Sequence, residues 1–213
     1  NVTYVMMEIR TETDYVEHHI QKVVGIFAAM QSFSKELQQK KHNVIYFNLN
    51  DKTNLQCFEK NCKELISEHK FLRFEYQMPD EYRLDELLKS FCSNLSIPAE
   101  VFDTEHFYST RQELGILFEG KKTYLMETFY RYMRKKHHVL IVDKDKPLHG
   151  KWNFDEDNRQ KLPKTHHPIS PFLFSNDVSE IENEIKKTTI KSIGSVDANV
   201  FLWPINREQS LLL

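Results

Sequence analysis

The sequence predicts an α/β fold, a doubly wound parallel sheet with helices on both faces, and two observations indicate it. Short apolar runs alternate with amphipathic helical patterns over the first hundred residues, which is typical of successive strand–helix–strand units. The first run, residues 2–9, is apolar on both faces, as expected for an interior strand of a parallel sheet. Because this alternation stops after about residue 103, we expect a mostly irregular C-terminal linker.

The predicted elements follow in order along the chain. After the first strand, a long helix is predicted from about Asp14, with Asp14 as N-cap and Glu17 as its capping-box partner. Gly25 lies inside this helix at a cost of about 1 kcal/mol relative to Ala, so we expect another backbone to pass close to it. Further strands are predicted at 43–48, 71–77 and 101–103, and further helices at 55–70, 79–91, 109–118, 123–137 and 178–187.

Composition divides the chain into three parts. Residues 1–142 carry the strand–helix pattern and form the predicted Rossmann-like domain. Residues 143–205 are assigned to an interdomain linker with one short helix, because their first part, 143–171, contains four prolines and few periodic apolar residues. Residues 206–213 have the pattern of a helix that begins and is then cut off.

The overall composition excludes several classes of protein. A net charge of −2 with a pI near 6.6 argues against a chain that clamps nucleic acid along its whole surface. No apolar run approaches the roughly 20 residues of a membrane-spanning helix, so no membrane association is expected. Cys57, Cys62 and Cys92 have no paired metal-ligand spacing, and their odd number argues against a disulfide framework. We therefore expect reduced thiols, no metal site and a cytoplasmic protein.

Candidate ligand-binding residues lie after the first predicted strand, because ligands of open α/β sheets bind at the carboxyl ends of strands. Glu8 and Glu12 are either an acid/base pair or acceptors for a heterocyclic ligand, or else a strand-end and a helix-start residue with no ligand. Tyr15 and His19, one helical turn apart, either line the same crevice or include a core histidine. The five glycines form neither G-x-G-x-x-G nor a Walker loop, so the usual dinucleotide or triphosphate cradle is not encoded.

A second candidate region is the basic helix at 121–136, in which lysines and arginines are interleaved with tyrosines. This pattern fits either contacts with a nucleic-acid phosphate backbone or a core face with a solvated basic back. Trp152 and Phe154 follow in a polar stretch, and we expect them to pin that stretch onto a domain face.

Several ordered segments are specific enough to indicate a family. They are MEIRTETDYVEHH at 7–19, GKKTYLME at 120–127, FYR at 129–131, GKWNFDEDNR at 150–159 and FLWPINRE at 201–208. Together they resemble the deoxyribodipyrimidine photolyase-related proteins, the bacterial iron–sulfur branch of the cryptochrome/photolyase family. The resemblance covers nearly the whole chain.

This resemblance implies a light-driven flavoprotein that repairs UV pyrimidine photoproducts in DNA, a DNA photolyase and therefore a carbon–carbon lyase when complete. Its N-terminal α/β domain would hold a ribityllumazine-type antenna, and a C-terminal helical domain would hold FAD and an iron–sulfur cluster. The implied partners are DNA and the chain's own FAD domain. The resemblance places residues 206–213 at the start of that domain, so no catalytic residue is expected in this chain. It also places the family's first strand, central in the sheet, before Asn1.

The resemblance also assigns positions to the antenna pocket. By position, the pocket would be formed by Met7, Glu8, Ile9, Glu12 and Tyr15, with Ile26 and Phe107 as apolar walls. Lys161 and Lys164 correspond to a region that approaches DNA. Two alternative functions stay open: a light-sensing, cryptochrome-like scaffold domain without repair, and a self-standing nucleotide-binding α/β enzyme.

Overall fold

The computed structural model describes residues 2–213, apart from the side chain of Lys144. The strands are β1 Thr3–Met7, β2 His18–His19, β3 Asn43–Phe47, β4 Phe74–Gln77, β5 Ala99–Phe102, β6 Ile141–Val142, β7 Lys146–Pro147 and β8 Ser192–Ile193. The helices are α1 Ile20–Gln39, α2 Phe58–His69, α3 Tyr82–Ser93, α4 Glu113–Leu117, α5 Met126–Lys136, α6 Ser179–Lys187 and α7 Arg207–Leu211. Among the helices of residues 2–213, none has the length and apolar character needed to cross a membrane.

Parallel pairing dominates the sheets, as the sequence predicts. Strands β1 and β3 pair in parallel from Thr3 opposite Asn43 to Met7 opposite Phe47. Strands β4 and β5 also pair in parallel, and so do the short strands β2 and β8, whereas β6 and β7 are antiparallel. Within residues 2–213 each of these sheets has two strands. The mixture of helices and parallel strands is compatible with an α/β protein, but the predicted doubly wound sheet is not confirmed.

The described residues divide into two compact units. The first contains the residues up to Leu72 together with Ile169–Leu213, and the second contains Arg73–Pro168. Strands β1 and β3 and helices α1 and α2 belong to the first unit, whereas β4, β5, α3 and α5 belong to the second. The beginning and the end of the chain therefore share one unit.

The core of the first unit forms between α1 and the returning C-terminal segment. Helix α1 contributes Ile20, Val23, Val24, Phe27 and Ala28. The return segment contributes Val178, Ile181, Ile185, Ile190, Ala198 and Phe201. An isolated antiparallel bridge between Asn176 and Phe201 closes this segment on itself. The region predicted as a linker, 143–205, thus contains packed core residues in its second half.

The start of α1 differs from the prediction. Residues Arg10–Glu12 form one turn of 3-10 helix, and α1 begins only at Ile20. The residue before it, His19, caps the helix because its Nδ1 accepts a hydrogen bond from the backbone N–H of Gln21 at 3.2 Å. The predicted start at Asp14 was wrong because β2, at His18–His19, pairs with β8 and is held extended by a segment far along the chain.

Gly25 does lie at a close approach, but to a side chain rather than to a backbone. A Cβ atom built at this position would be 3.2 Å from Cζ of Phe201, whose ring is buried in the core. That separation is shorter than ordinary van der Waals contact, so a larger residue at position 25 would push the ring. The glycine therefore lets the return segment pack closely against α1.

Candidate functional site

The carboxylate of Glu8, directly after β1, is the centre of the candidate site. The residue is 1% exposed, and its carboxylate accepts three hydrogen bonds from the chain itself. Oε1 accepts from the phenol of Tyr46 at 2.6 Å and from Nε2 of Gln31 at 2.8 Å, and Oε2 accepts from the backbone N–H of Leu49 at 2.9 Å. This buried charge is therefore satisfied by donors from α1, β3 and the loop after β3. The carboxylate of Glu8 therefore joins the ends of strands β1 and β3.

Amide side chains form a second set of hydrogen bonds, one of which is to the backbone carbonyl oxygen of Glu8. Asn54 donates from Nδ2 to the carbonyl oxygens of Glu8 at 2.7 Å and Asn48 at 3.0 Å. Its Oδ1 accepts from Nδ2 of Asn61, a residue that is 1% exposed and that also accepts from the backbone of Leu55. The loops after β1 and β3 are thus tied to the start of α2 through buried amides, which fixes the carboxyl ends of both strands.

The electrostatics of this region are strongly acidic. Burial, followed by the hydrogen bond to Glu8, raises the pKa of Tyr46 far above its ordinary value, so the phenol stays protonated. The pKa of Glu184 on α6 is also raised, first by burial and then by the negative charges of Glu8 and Asp51. Because the site already places carboxylates close together, it favours a neutral ligand or a cationic group over a phosphate.

The first five predicted pocket residues are neighbours in the chain but differ in exposure. Met7 is half-buried at the end of β1, where its sulfur accepts a weak hydrogen bond from Asn61 at 3.5 Å, and Ile9 is buried. Glu12 is half-buried in the 3-10 turn, and Tyr15 is 51% exposed in the following loop. The ring of Tyr15 meets His18 edge to face, with 5.0 Å between ring centroids. Of these five residues, Tyr15 presents the most exposed side chain.

The remaining predicted site residues belong to other elements of the chain. Ile26 is on an exposed face of α1. Phe107 belongs to the second unit and is 64% exposed. Lys161 and Lys164 are exposed in an irregular stretch of that same unit, where their side chains make no ion pair with any residue that the structure describes. The roles predicted for these four residues stay predictions.

Most basic side chains of helix α5 are paired with other groups of the second unit. Arg131 donates from Nε to Glu127 at 2.8 Å, and Lys136 donates to Glu113 at 2.5 Å. Arg134 is buried and donates to backbone carbonyl oxygens of 139, 140 and 152. The last of these bonds holds Trp152 on the helix, as predicted for that residue, whereas Phe154 is 45% exposed. Arg134 thus acts as a structural cation.

The three cysteines are free thiols, and only Cys62 is buried. Across residues 2–213, no three histidine, cysteine, aspartate or glutamate side chains come together in a way that could hold a metal ion. The donor set of the described part of the chain therefore does not fit an iron–sulfur cluster, which needs several cysteine ligands.

Sequence reasoning missed the residues that complete the Glu8 site. Gln31, Tyr46, Asn54 and Asn61 supply its donors and fix its loops, although they are distant from Glu8 in the chain. The available signal was Gln31, a polar residue on the buried face of a helix, which indicates a buried hydrogen-bond partner. Which group it serves depends on tertiary contacts that periodicity does not reveal.

The sequence of this chain is similar to those of known proteins. The family model for deoxyribodipyrimidine photo-lyase-related protein matches residues 1–201. A (6-4) photolyase of Agrobacterium fabrum is 32% identical over 171 residues, which cover 78% of this chain and 34% of that protein. An uncharacterised protein of Acanthamoeba polyphaga mimivirus is 26% identical over 153 residues, covering 70% of this chain and 75% of the viral protein.

The chain therefore spans about a third of the length of the bacterial photolyase that it matches. The match to the family model extends over more than nine-tenths of the 213 residues and includes the ends of β1 and β3, helix α5 and the return segment. On this basis, the chain belongs to the deoxyribodipyrimidine photolyase-related protein family.

Proposed function

We propose that this chain is the antenna-binding α/β part of a photolyase-like flavoprotein that repairs UV pyrimidine photoproducts in DNA in the cytoplasm. The observation that carries the proposal is the 32% identity to a (6-4) photolyase over 78% of the chain. FAD and an iron–sulfur cluster would be held by a C-terminal helical domain, because the cysteines of this chain do not form a ligand set. The lyase activity would therefore belong to the whole protein.

In this proposal the antenna is a flat heterocycle of ribityllumazine type, which when bound would absorb near-visible light. Glu12 and Tyr15 suit such a ligand, because the loop after β1 presents a half-buried carboxylate and an exposed aromatic ring. The carboxylate would accept hydrogen bonds from the heterocycle or the ribityl hydroxyls, and the ring would cover one face. Met7 and Ile9 would support the loop, and Ile26 would supply apolar surface. Glu8, with three internal donors, would hold the strand ends in place behind the ligand.

Fluorescence titration with ribityllumazine tests this proposal. We expect saturable binding by the wild-type chain and about tenfold weaker binding by Glu12→Ala, because the loss of a charged hydrogen-bond acceptor costs about 1.5–3 kcal/mol at most. Glu17→Ala is the matched control, since Glu17 is an exposed carboxylate of the same loop. A chain that is folded by circular dichroism but binds no ribityllumazine would overturn the proposal. Equal losses in both variants would remove the assigned role of Glu12.

A second function is favoured by one specific observation. The complete internal pairing of Glu8 suits a domain that carries no chromophore and acts as a scaffold, as in a light sensor that does not repair DNA. In that case the same titration would show no saturable binding. The full-length protein would bind FAD but leave pyrimidine photoproducts unrepaired under light.

A further inference from the structure

A cavity of about 270 Å³ opens in the second unit, between α5 and the segment that follows β7. Cationic, aromatic and acidic side chains line it together: Arg131, Lys151, Trp152, Phe154, Glu156 and Asp157. This volume is just below the range of small-molecule sites, which measure roughly 300–1,000 Å³. It suits a ligand of the size of one nucleotide.

One wall of this cavity is rigid. Arg134 donates from Nη1 to the carbonyl oxygen of Trp152 at 2.8 Å and from Nη2 to that of Leu140 at 2.6 Å. Its guanidinium carbon also lies 5.2 Å from the centroid of the Trp152 ring. Because Arg134 is buried and its donors are occupied, it fixes the indole against α5 before any ligand arrives.

Two further cations, Arg131 and Lys151, line the cavity and still have N–H groups that can donate hydrogen bonds. The guanidinium of Arg131 lies 5.4 Å from the Trp152 ring centroid, and its Nε is held by Glu127. Within the described part of the chain, Nη1 and Nη2 of Arg131 make no hydrogen bond, and the amine of Lys151 has no ion-pair partner. A guanidinium and an ammonium that line the same cavity can together bind a single phosphate group.

The other lining groups specify more than an anion. Phe154 is 45% exposed and offers a ring face for stacking. Glu156 and Asp157 bring two carboxylates to the same cavity, which would repel a duplex backbone but would accept hydrogen bonds from N–H groups. Phosphate, flat ring and N–H donors occur together in a nucleotide whose base is unstacked.

We propose that this cavity binds one unstacked nucleotide, with its phosphate at Arg131 and Lys151, its base on Phe154 and its base edge toward Glu156 and Asp157. The proposal deepens the proposed role in DNA repair and rests on it for the biological source of the nucleotide. A free nucleoside monophosphate has the same chemistry as a nucleotide of single-stranded DNA. The two sources can be distinguished by whether the affinity depends on the length of the oligonucleotide.

Fluorescence anisotropy of the 213-residue chain with labelled oligothymidylate tests this assignment, with unlabelled dTMP as competitor. We expect Phe154→Ala to weaken binding about tenfold, as for loss of one stacking platform. Tyr82→Ala, which removes an exposed aromatic outside the cavity, is its control. Lys151→Gln should lower the slope of log K against log salt by about 0.7, the value for one phosphate of a single strand, while Lys63→Gln should leave it unchanged.

Each possible result of these binding experiments either supports or contradicts the proposed nucleotide site. If dTMP competes with an affinity equal to that of the oligonucleotide, the cavity is a site for a free nucleotide. If dTMP does not compete, the ligand is single-stranded DNA. Both results support a site for one phosphate and one base. Absence of binding to both probes, or equal effects of Phe154→Ala and Tyr82→Ala in folded proteins, would overturn the proposal. The ribityllumazine titration on the same samples separates the two sites. A failed antenna leaves the nucleotide result standing, and a failed nucleotide site leaves the antenna result standing.

Discussion

The phenol of Tyr46 donates a 2.6 Å hydrogen bond to the carboxylate of Glu8 and so joins the neighbouring strands β3 and β1 through their side chains. Glu8 is almost completely buried, so this bond acts where water does not compete. Burial and this interaction together raise the pKa of Tyr46, which keeps the donor protonated. The pair is therefore a permanent link between the strand ends that carry the candidate site.

Tyr46→Phe should lower the free energy of unfolding by about 1–3 kcal/mol, because the buried carboxylate of Glu8 would lose one of its three donors. Urea denaturation at pH 7, followed by circular dichroism, measures this change. Tyr4→Phe on the same sheet is the control, since Tyr4 is 40% exposed and no hydrogen bond of its hydroxyl is seen in the described residues. Equal stability of the two variants would show that Glu8 does not depend on Tyr46.

The sequence predicts best where structure depends on near neighbours. Strand β3 and helices α2 and α3 begin and end within a few residues of their predicted limits, because apolar periodicity is a local signal. The beginning of α1 escaped prediction because His18 and His19 are held extended by Ser192 and Ile193. The same limit applies at the site: Glu8 is recognisable as a strand-end carboxylate, but its burial depends on Gln31 and other distant donors.

Gly194→Ala should cost about 2 kcal/mol, more than an ordinary glycine replacement. Gly194 has a φ of +76°, and a Cβ there would lie 1.9 Å from Nε2 of His19, whose ring also caps α1. The backbone strain accounts for about 1 kcal/mol, and displacement of the cap for about another 1 kcal/mol. Thermal unfolding measures the loss.

The control for that comparison is Gly120→Ala. Gly120 has a similar φ of +70°, but a Cβ there meets nothing within 4 Å. It should therefore lose only the backbone contribution of about 1 kcal/mol. If the two alanine variants unfold at the same temperature, the close approach of Gly194 to His19 does not contribute to the loss of stability.

Asp85→Asn should destabilise the protein at neutral pH and have much less effect in acid. The buried carboxylate of Asp85 accepts hydrogen bonds from Nζ of Lys89 at 2.8 Å and from Nη1 of Arg111 at 2.6 Å. The hydrogen bond from Lys89, followed by that from Arg111, lowers the pKa of Asp85 below its ordinary 3.8. The folded state thus binds fewer protons than the unfolded state, and this stabilisation is lost as pH falls through the lowered pKa.

Urea unfolding between pH 7 and pH 3 checks this sign. The difference between wild type and Asp85→Asn should be roughly 1 kcal/mol above pH 5, and it should shrink as pH falls below 3.8. Glu86→Gln, which alters an exposed partner of the same Lys89, should change stability by less than about 0.5 kcal/mol. A difference that stays constant down to pH 3 would contradict the assigned charge interaction.

Glu184→Gln should have the opposite effect and stabilise the protein at pH 7. Burial and the charges of Glu8 and Asp51 raise the pKa of Glu184 above 4.5, so the folded state retains a proton that the unfolded state releases. Stability due to this group is present below pH 4.5 and falls as pH rises through the raised pKa. A neutral glutamine avoids that loss. Because the side chain is only partly buried, the gain should be about 0.5 kcal/mol.

Glu180→Gln on the same helix tests whether this gain is specific to position 184. Glu180 lies in the first turn of α6, where a negative charge stabilises the helix, so its removal should lower stability slightly. Thermal unfolding at pH 7 and at pH 4 in low salt measures both variants. At pH 4 the gain from Glu184→Gln should vanish, because Glu184 is then largely protonated in both states. A gain that persists at pH 4, or a loss at pH 7, would mean that the carboxylates at the ends of β1 and β3 do not repel Glu184.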